Sequence, residues 1–142
     1  MAAPVRVHLT HVFASDPATV FAKLSEHENL STVFAPAKVT RVRDGESSRN
    51  GVGSVRRLTL APGVAFEETV TAAEEPHLIE YKITKGSPLK GHWGEQRLTP
   101  TANGGTRLEY RIGFDAPVPG LAAVIGAGLK RQIASGLKKI AD

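Results

Sequence analysis

The sequence predicts an α+β fold: a strongly bent antiparallel sheet closed by one C-terminal helix, with a cavity between the two. Three observations predict it. An alternating apolar run opens the chain and passes directly into a helix start. A long central stretch of short runs follows, cut by Gly, Pro and Asn turns. Only then does a second long helical pattern appear, from Gly120 to Ala141.

The opening run, Pro4 to Ala14, places Val5, Val7, Leu9 and Phe13 on one face, the period of two of a half-buried strand. Ser15-Asp16-Pro17 then starts a helix. The Asp16 carboxylate can accept a bond from a free backbone N–H, and Pro17 suits the first turn. Val20, Phe21 and Leu24 form the apolar stripe of this helix, and a second short helix is expected over Glu26 to Phe34. Pro36 ends it by biasing Ala35 away from helix.

Lys38 to Arg43 reads as a strand stopped by Asp44-Gly45, and Asn50-Gly51 marks the next turn. Ser54 to Leu60 and Ala65 to Ala73 form a hairpin around residues 61–64. Glu75-Pro76 turns the chain into His77 to Thr84, and Lys85 to Lys90 is a Gly/Ser/Pro loop. Gly91 to Thr99 and Thr106 to Phe114 then pair across residues 101–105. In the last strand Thr106, Leu108, Tyr110, Ile112 and Phe114 share one face and Arg107, Glu109 and Arg111 the other. Beyond Pro117-Val118-Pro119, the residues Leu121, Ile125, Leu129, Ile133, Leu137 and Ile140 recur at helical spacing.

Composition sets the class. A chain of 142 residues is expected to form one domain, and at that size it hides about 70% of its unfolded surface. The 41% hydrophobic and 23% charged fractions are those of an ordinary globular protein. Cysteine is absent, which excludes disulfides, thiolate metal sites and a cysteine nucleophile. The net charge of +4 raises nucleic acid as a partner. Its basic residues are dispersed, however, and aromatic residues reach only 6% with no recognition motif, so no nucleic-acid partner is expected. No apolar run approaches the roughly 18 residues of a membrane span, so no integral membrane association is expected. The opening MAAPVRVHLTHV lacks the charged and apolar regions of a secretory leader, and a cytoplasmic location is the expectation.

Four stretches in this order carry a family resemblance: FASDPATVFAKLSEHENLS, GVGSVRRLTL, FEETVTAAEEPHLIEYKIT, and LTPTANGGTRLEYRIGF before the long final helix. Together they resemble the START-like superfamily (SRPBCC), in particular its polyketide cyclase/dehydrase and lipid-transport branch. The resemblance spans nearly the whole chain. It implies a helix-grip fold, with a seven-stranded antiparallel sheet wrapped round the C-terminal helix and two short helices after the first strand. It also implies an elongated apolar cavity for a lipid, sterol, quinone or polyketide. No universal catalytic motif comes with it, so it supports a pocket and not a reaction.

Side chains alternate across a strand, so one anchored residue assigns its neighbours. With Leu58 and Leu60 inward, Arg56 is inward too; Phe66 and Val70 carry Glu68, and Ile79 and Ile83 carry Tyr81. Leu98 carries Gln96 and His92, while Leu108 and Ile112 carry Tyr110. The candidate ligand-binding set is therefore Arg56, Leu58, Glu68, Tyr81, His92, Gln96 and Tyr110, with Ile125 and Leu129 from the final helix. A mostly apolar wall with a few convergent polar groups is what a ligand pocket needs. Two roles stay open for Arg56 and Glu68: ligand anchors, or a buried pair that satisfies itself. Tyr81 and Tyr110 are open to the plainer role of rings packed at a sheet margin with wetted hydroxyls. His92 is the first catalytic candidate if the protein is an enzyme, because an unperturbed imidazole titrates near neutral pH.

Sharper motifs fail on geometry. His8 and His11 point to opposite faces of a strand, and His27-Glu28 lacks the second histidine of a zinc-protease helix, so no metal is expected. Neither Gly51-Val52-Gly53 nor Gly126-Ala127-Gly128 completes a phosphate or dinucleotide loop, so no cofactor is expected. Gly126 and Gly128 each cost about 1 kcal/mol against alanine within a helix. They leave room for a ligand, pack closely on the sheet, or mark a frayed first turn. The expectation is a monomeric or homodimeric binding protein, carrier or sensor, for a small apolar or amphipathic ligand. A cyclase/dehydratase-type enzyme using the same cavity is the alternative, and a partner-binding module a third class.

Overall fold

The computed structural model describes residues 3–140. In order, the elements are β1 (Val5–Phe13), α1 (Pro17–Ser25), a 3-10 turn (His27–Asn29), α2 (Leu30–Val33), β2 (Lys38–Arg43) and β3 (Val55–Ala61). These are followed by β4 (Val64–Glu74), β5 (Leu78–Lys85), β6 (Lys90–Pro100), β7 (Thr106–Asp115) and α3 (Leu121–Lys139). The seven strands form one antiparallel sheet in the order β1-β7-β6-β5-β4-β3-β2, with β1 and β2 at its edges. The long terminal helix packs on β1 and α2. This is the helix-grip arrangement.

Local chemistry accounts for the boundaries. Asp16 accepts the Thr19 N–H at 3.1 Å and caps α1, with Pro17 in its first turn. The segment expected as one helix over Glu26 to Phe34 is instead a 3-10 turn plus a short α2, ended by Phe34 before Pro36. Ser31 Oγ donates to the Val39 carbonyl and accepts the Val39 N–H, which ties α2 to β2. At the start of α3, Gly120 adopts φ +81°, a left-handed conformation open to glycine. The helix is continuous from Leu121, so its first turn is not frayed. Ala141, the end expected from sequence, lies outside the described residues.

Register shifts interrupt the ladders between Val5 and Val7, Thr59 and Ala61, Val70 and Ala72, and Lys90 and Trp93. Such irregularities bend and twist a sheet, letting it wrap the helix. The first of them corrects the sequence reading. Val5 is 48% exposed, turned out by the shift between it and Val7, while Val7, Leu9 and Phe13 are buried.

One half of the interior is solid. Phe13, Leu24, Leu30, Val33, Leu98 and Leu108 pack there with Ile133 and Leu137 of α3, the latter two fully buried. Burying each such aliphatic side chain contributes about 1.5–3 kcal/mol. A Cβ on Gly126 would sit 2.7 Å from the Arg6 carbonyl oxygen, and one on Gly136 would collide with the Val33 carbonyl. Both glycines let α3 approach backbone, Gly126 on β1 and Gly136 on α2. Gly128 differs: nothing lies within 4 Å of its missing Cβ.

Candidate functional site

The other half of the interior is hollow. A cavity of about 530 Å³ lies between α3, the strands β3 to β7 and the loop over residues 86–89. Leu58, Phe66, Ile83, Ile112, Phe114, Ile125 and Leu129 form much of its wall, and Gly128 opens onto it. Leu60, Val64 and Val124 also line it and are 55%, 52% and 69% exposed, so they mark its mouth. Of the sequence candidates, Leu58, Glu68, Tyr81, His92, Ile125 and Leu129 line the cavity. Arg56, Gln96 and Tyr110 do not. They are buried within the sheet's inner face, each 3% exposed or less, in contact with Tyr81 or Glu68 or with each other.

These polar groups form one connected column. Arg56 Nε donates to Glu68 Oε1 at 2.8 Å, across the directly paired positions of β3 and β4. The Arg56 guanidinium carbon stands 4.5 Å from the centre of the Tyr81 ring. The Tyr81 and Tyr110 hydroxyls share a short hydrogen bond, and Tyr110 is also bonded by Gln96, its cross-strand partner. Gln96 Oε1 is buried with no partner. The tyrosines therefore do not wet their hydroxyls as marginal residues would; one hydroxyl donates to the other inside the protein. Room for the Tyr81 ring comes from Gly94 directly opposite on β6, where any Cβ would penetrate the ring.

Burial dominates the electrostatics. It is the largest influence on Arg56 and works to strip its proton, but the Glu68 charge, Tyr81, Tyr110 and the hydrogen bond to Glu68 together outweigh it and hold Arg56 above the ordinary guanidinium range. On Glu68 burial prevails over the pull of Arg56 and raises the carboxyl. Tyr110 is pushed up to about 12 by burial, and Tyr81 is raised well above the ordinary phenol for the same reason. Burial, then the Arg56 charge, lowers His92 to about 4. Near pH 7 both phenols and the imidazole are uncharged.

His92 has a second constraint. The β5·β6 ladder ends at Tyr81↔Gly94, and beyond it the Ile83 N–H has no strand acceptor. His92 Nδ1 takes that bond at 2.9 Å. A neutral ring that accepts at Nδ1 carries its proton on Nε2. The imidazole, a residue of the cavity wall, is thus left with one N–H to give. The expectation that His92 titrates near neutrality does not hold in this buried setting.

Sequence reasoning did not single out a second buried imidazole. His27, fully buried, bonds Ser54 Oγ at 3.2 Å through Nε2 and leaves Nδ1 without a partner. Ser54 passes its own proton to the Gly51 carbonyl at 2.7 Å, so Nε2 is the donor. Burial, then Arg56 and Arg41, push His27 down to about 3. Its place after α1 was readable, but not its depth, which depends on β2 packing against its turn and on Ser54, just ahead of β3, reaching its ring. Among the described residues no three His, Asp or Glu side chains converge on a metal position. No helix among them is long and apolar enough to cross a membrane.

Comparison with known proteins agrees with this architecture. The chain superposes on a Nitrosospira multiformis protein with a TM-score of 0.73 at 18% identity, over 94% of this chain and 93% of the other. A START superfamily protein of Mycobacterium smegmatis gives a TM-score of 0.73 at 16% identity over 96% of each chain. Norcoclaurine synthase of Thalictrum flavum, solved with a transition-state analogue, gives 0.68 at 14% identity over 99% and 96%. At these identities the likeness speaks for the fold alone. A search of curated proteins finds no significant match. The sequence profile for polyketide cyclase / dehydrase and lipid transport, however, matches residues 4–142, and the chain belongs to that family.

Proposed function

We propose that the protein binds a small apolar or amphipathic molecule, such as a lipid, quinone or polyketide, and serves as its carrier or sensor. The observation that carries this reading is the cavity. Its volume of about 530 Å³ falls within the roughly 300–1,000 Å³ range of small-molecule sites. Its walls are apolar apart from a few polar groups, most of them already paired within the protein. Ligand desolvation against Leu58, Phe66, Ile112, Ile125 and Leu129 supplies the affinity at about 25 cal/mol per Å² of buried apolar surface, less the cost of ordering.

A cyclase or dehydratase would need a group that exchanges a proton near neutrality. In this cavity the His92 lone pair is held by Ile83, and the Tyr81 phenol, like the Tyr110 phenol bonded to it, is more weakly acidic than in water. Binding accounts for the same residues with fewer requirements.

The test is displacement of N-phenylnaphthylamine, an uncharged fluorescent probe, alongside native mass spectrometry of freshly purified protein. Saturable probe binding that is abolished in Leu129→Trp, with the fold intact, supports the reading. Binding insensitive to that substitution would place the probe elsewhere and remove the reading's basis.

A further inference from the structure

We infer that the cavity selects ligands bearing an uncharged carbonyl over carboxylates of the same shape, with His92 Nε2–H as the donor to that carbonyl. This rests on the binding reading above and names the class of ligand it takes.

The lining polar groups can be accounted for in turn. Glu68 is engaged by Arg56, and the Tyr81 hydroxyl by Tyr110. Gln132 spends its amide hydrogens on the Phe34 and Ala35 carbonyls at 2.6 and 2.9 Å. Ser87 accepts the Leu89 N–H at 3.2 Å and keeps its own O–H, but it stands on the partly exposed loop at the mouth, outside the buried wall. That leaves His92. Its Nδ1 edge is turned to β5 and occupied by Ile83, so Nε2–H is the polar group that the buried part of the wall has left to give.

The same inventory opposes anions. A carboxylate taken from water needs a cation or several donors at its destination. No arginine or lysine among the described residues lines the cavity; the buried Arg56 packs over the Tyr81 ring and is paired with Glu68, itself a residue of the wall. An anionic head group would find no free cation in this wall, only one neutral donor, with Glu68 in the same lining. A ketone, quinone or ester carbonyl needs only that donor, and its chain fits the apolar wall.

Three matched ligands test this by displacement of N-phenylnaphthylamine at neutral pH: methyl nonyl ketone, decanoate, and the alkene in which C=CH₂ replaces the ketone C=O. The ketone should bind about five- to tenfold more tightly than the alkene, the increment of one neutral hydrogen bond. It should also bind at least about tenfold more tightly than decanoate, the factor expected when a charge is left unpaired. In His92→Phe the advantage over the alkene should vanish, ketone and alkene then binding alike. Should His92→Phe not fold, the Nε2–H proton resonance of His92 in the unsubstituted protein should shift downfield with ketone and not with alkene. Equal binding of ketone and alkene, an advantage that survives His92→Phe, decanoate binding as tightly as ketone, or an unmoved resonance would each overturn the inference while leaving the binding reading intact. Failure of probe and all three ligands to bind would overturn the binding reading itself, and this inference with it.

Discussion

His92 Nδ1 accepts the Ile83 N–H at the position where β5 and β6 stop pairing, so a side chain completes the ladder that the backbone abandons. Beyond this point the chain leaves the sheet as the loop over residues 86–89 and the cavity opens beneath it. The bond therefore serves structure and site together.

Removing the acceptor should strand the Ile83 N–H. His92→Ala is expected to lower unfolding free energy by about 1–3 kcal/mol, the cost of an unmet polar group. His92→Asn can place Oδ1 near the Nδ1 position and should recover most of that loss. Urea unfolding of both variants decides the matter. Equal destabilisation by Ala and Asn would mean that the hydrogen bond contributes little and that the ring matters only as packing.

The three helical glycines should separate in the same kind of measurement. Gly128→Leu adds bulk in open space at a residue of the cavity wall, so it should weaken probe binding strongly and change stability by less than about 1 kcal/mol. Gly126→Leu and Gly136→Leu drive a side chain into the Arg6 and Val33 carbonyls, and each should cost more than the 1–3 kcal/mol typical of overpacking. Paired denaturation and probe titration would show this. Loss of binding without loss of stability in Gly126→Leu would contradict the assignment.

How far the sequence carried depended on whether the governing interaction was local. The Asp16 cap and the alternation from Thr106 to Phe114 involve neighbours in the chain, and both appear as expected. Parity from Leu58, Phe66 and Leu98 placed Arg56, Glu68, Gln96 and His92 on buried positions of the sheet. It could not order them in depth. Whether Tyr110 lines the cavity or stands behind Tyr81 depends on Gly94 admitting the Tyr81 ring, a contact between strands. Val5 was misread because a register shift is invisible to alternation, and Gly126 and Gly128 were indistinguishable until Arg6 was seen to lie under only one of them.

The Arg56–Glu68 pair should be costly to break and cheap to replace. Glu68→Gln leaves a guanidinium buried without its counter-ion and should cost about 3–5 kcal/mol. Replacing both partners, with Arg56→Met and Glu68→Leu, removes both desolvation penalties and should fall within about 1 kcal/mol of the parent or above it. Thermal unfolding of the two variants provides the comparison. A double variant as unstable as Glu68→Gln would show that the pair is net stabilising, the Tyr81 ring contact included.

Stability should fall on mild acidification, and His27 should account for a measurable part of the slope. The folded chain holds His27 at about 3 and His92 at about 4, against 6.5 for both without the fold. Above pH 6.5 both states carry them neutral, and neither residue contributes to pH dependence. As pH falls from 6.5 toward 4, the unfolded chain takes up two protons that the folded chain refuses, which stabilises the unfolded state. Each histidine then removes about 1.4 kcal/mol per pH unit over the part of that window in which its unfolded form is protonated. Glu68 and Glu80 work the other way, since their folded carboxyls are raised, and they blunt the total. A difference experiment cancels them. In His27→Gln, which keeps a donor for Ser54, the slope of unfolding free energy between about pH 6 and 4 should be shallower than in the parent by about 1.4 kcal/mol per unit. Parallel slopes in the two proteins would mean that His27 is protonated in the folded state, and that its burial against Arg56 and Arg41 does not exclude the charge.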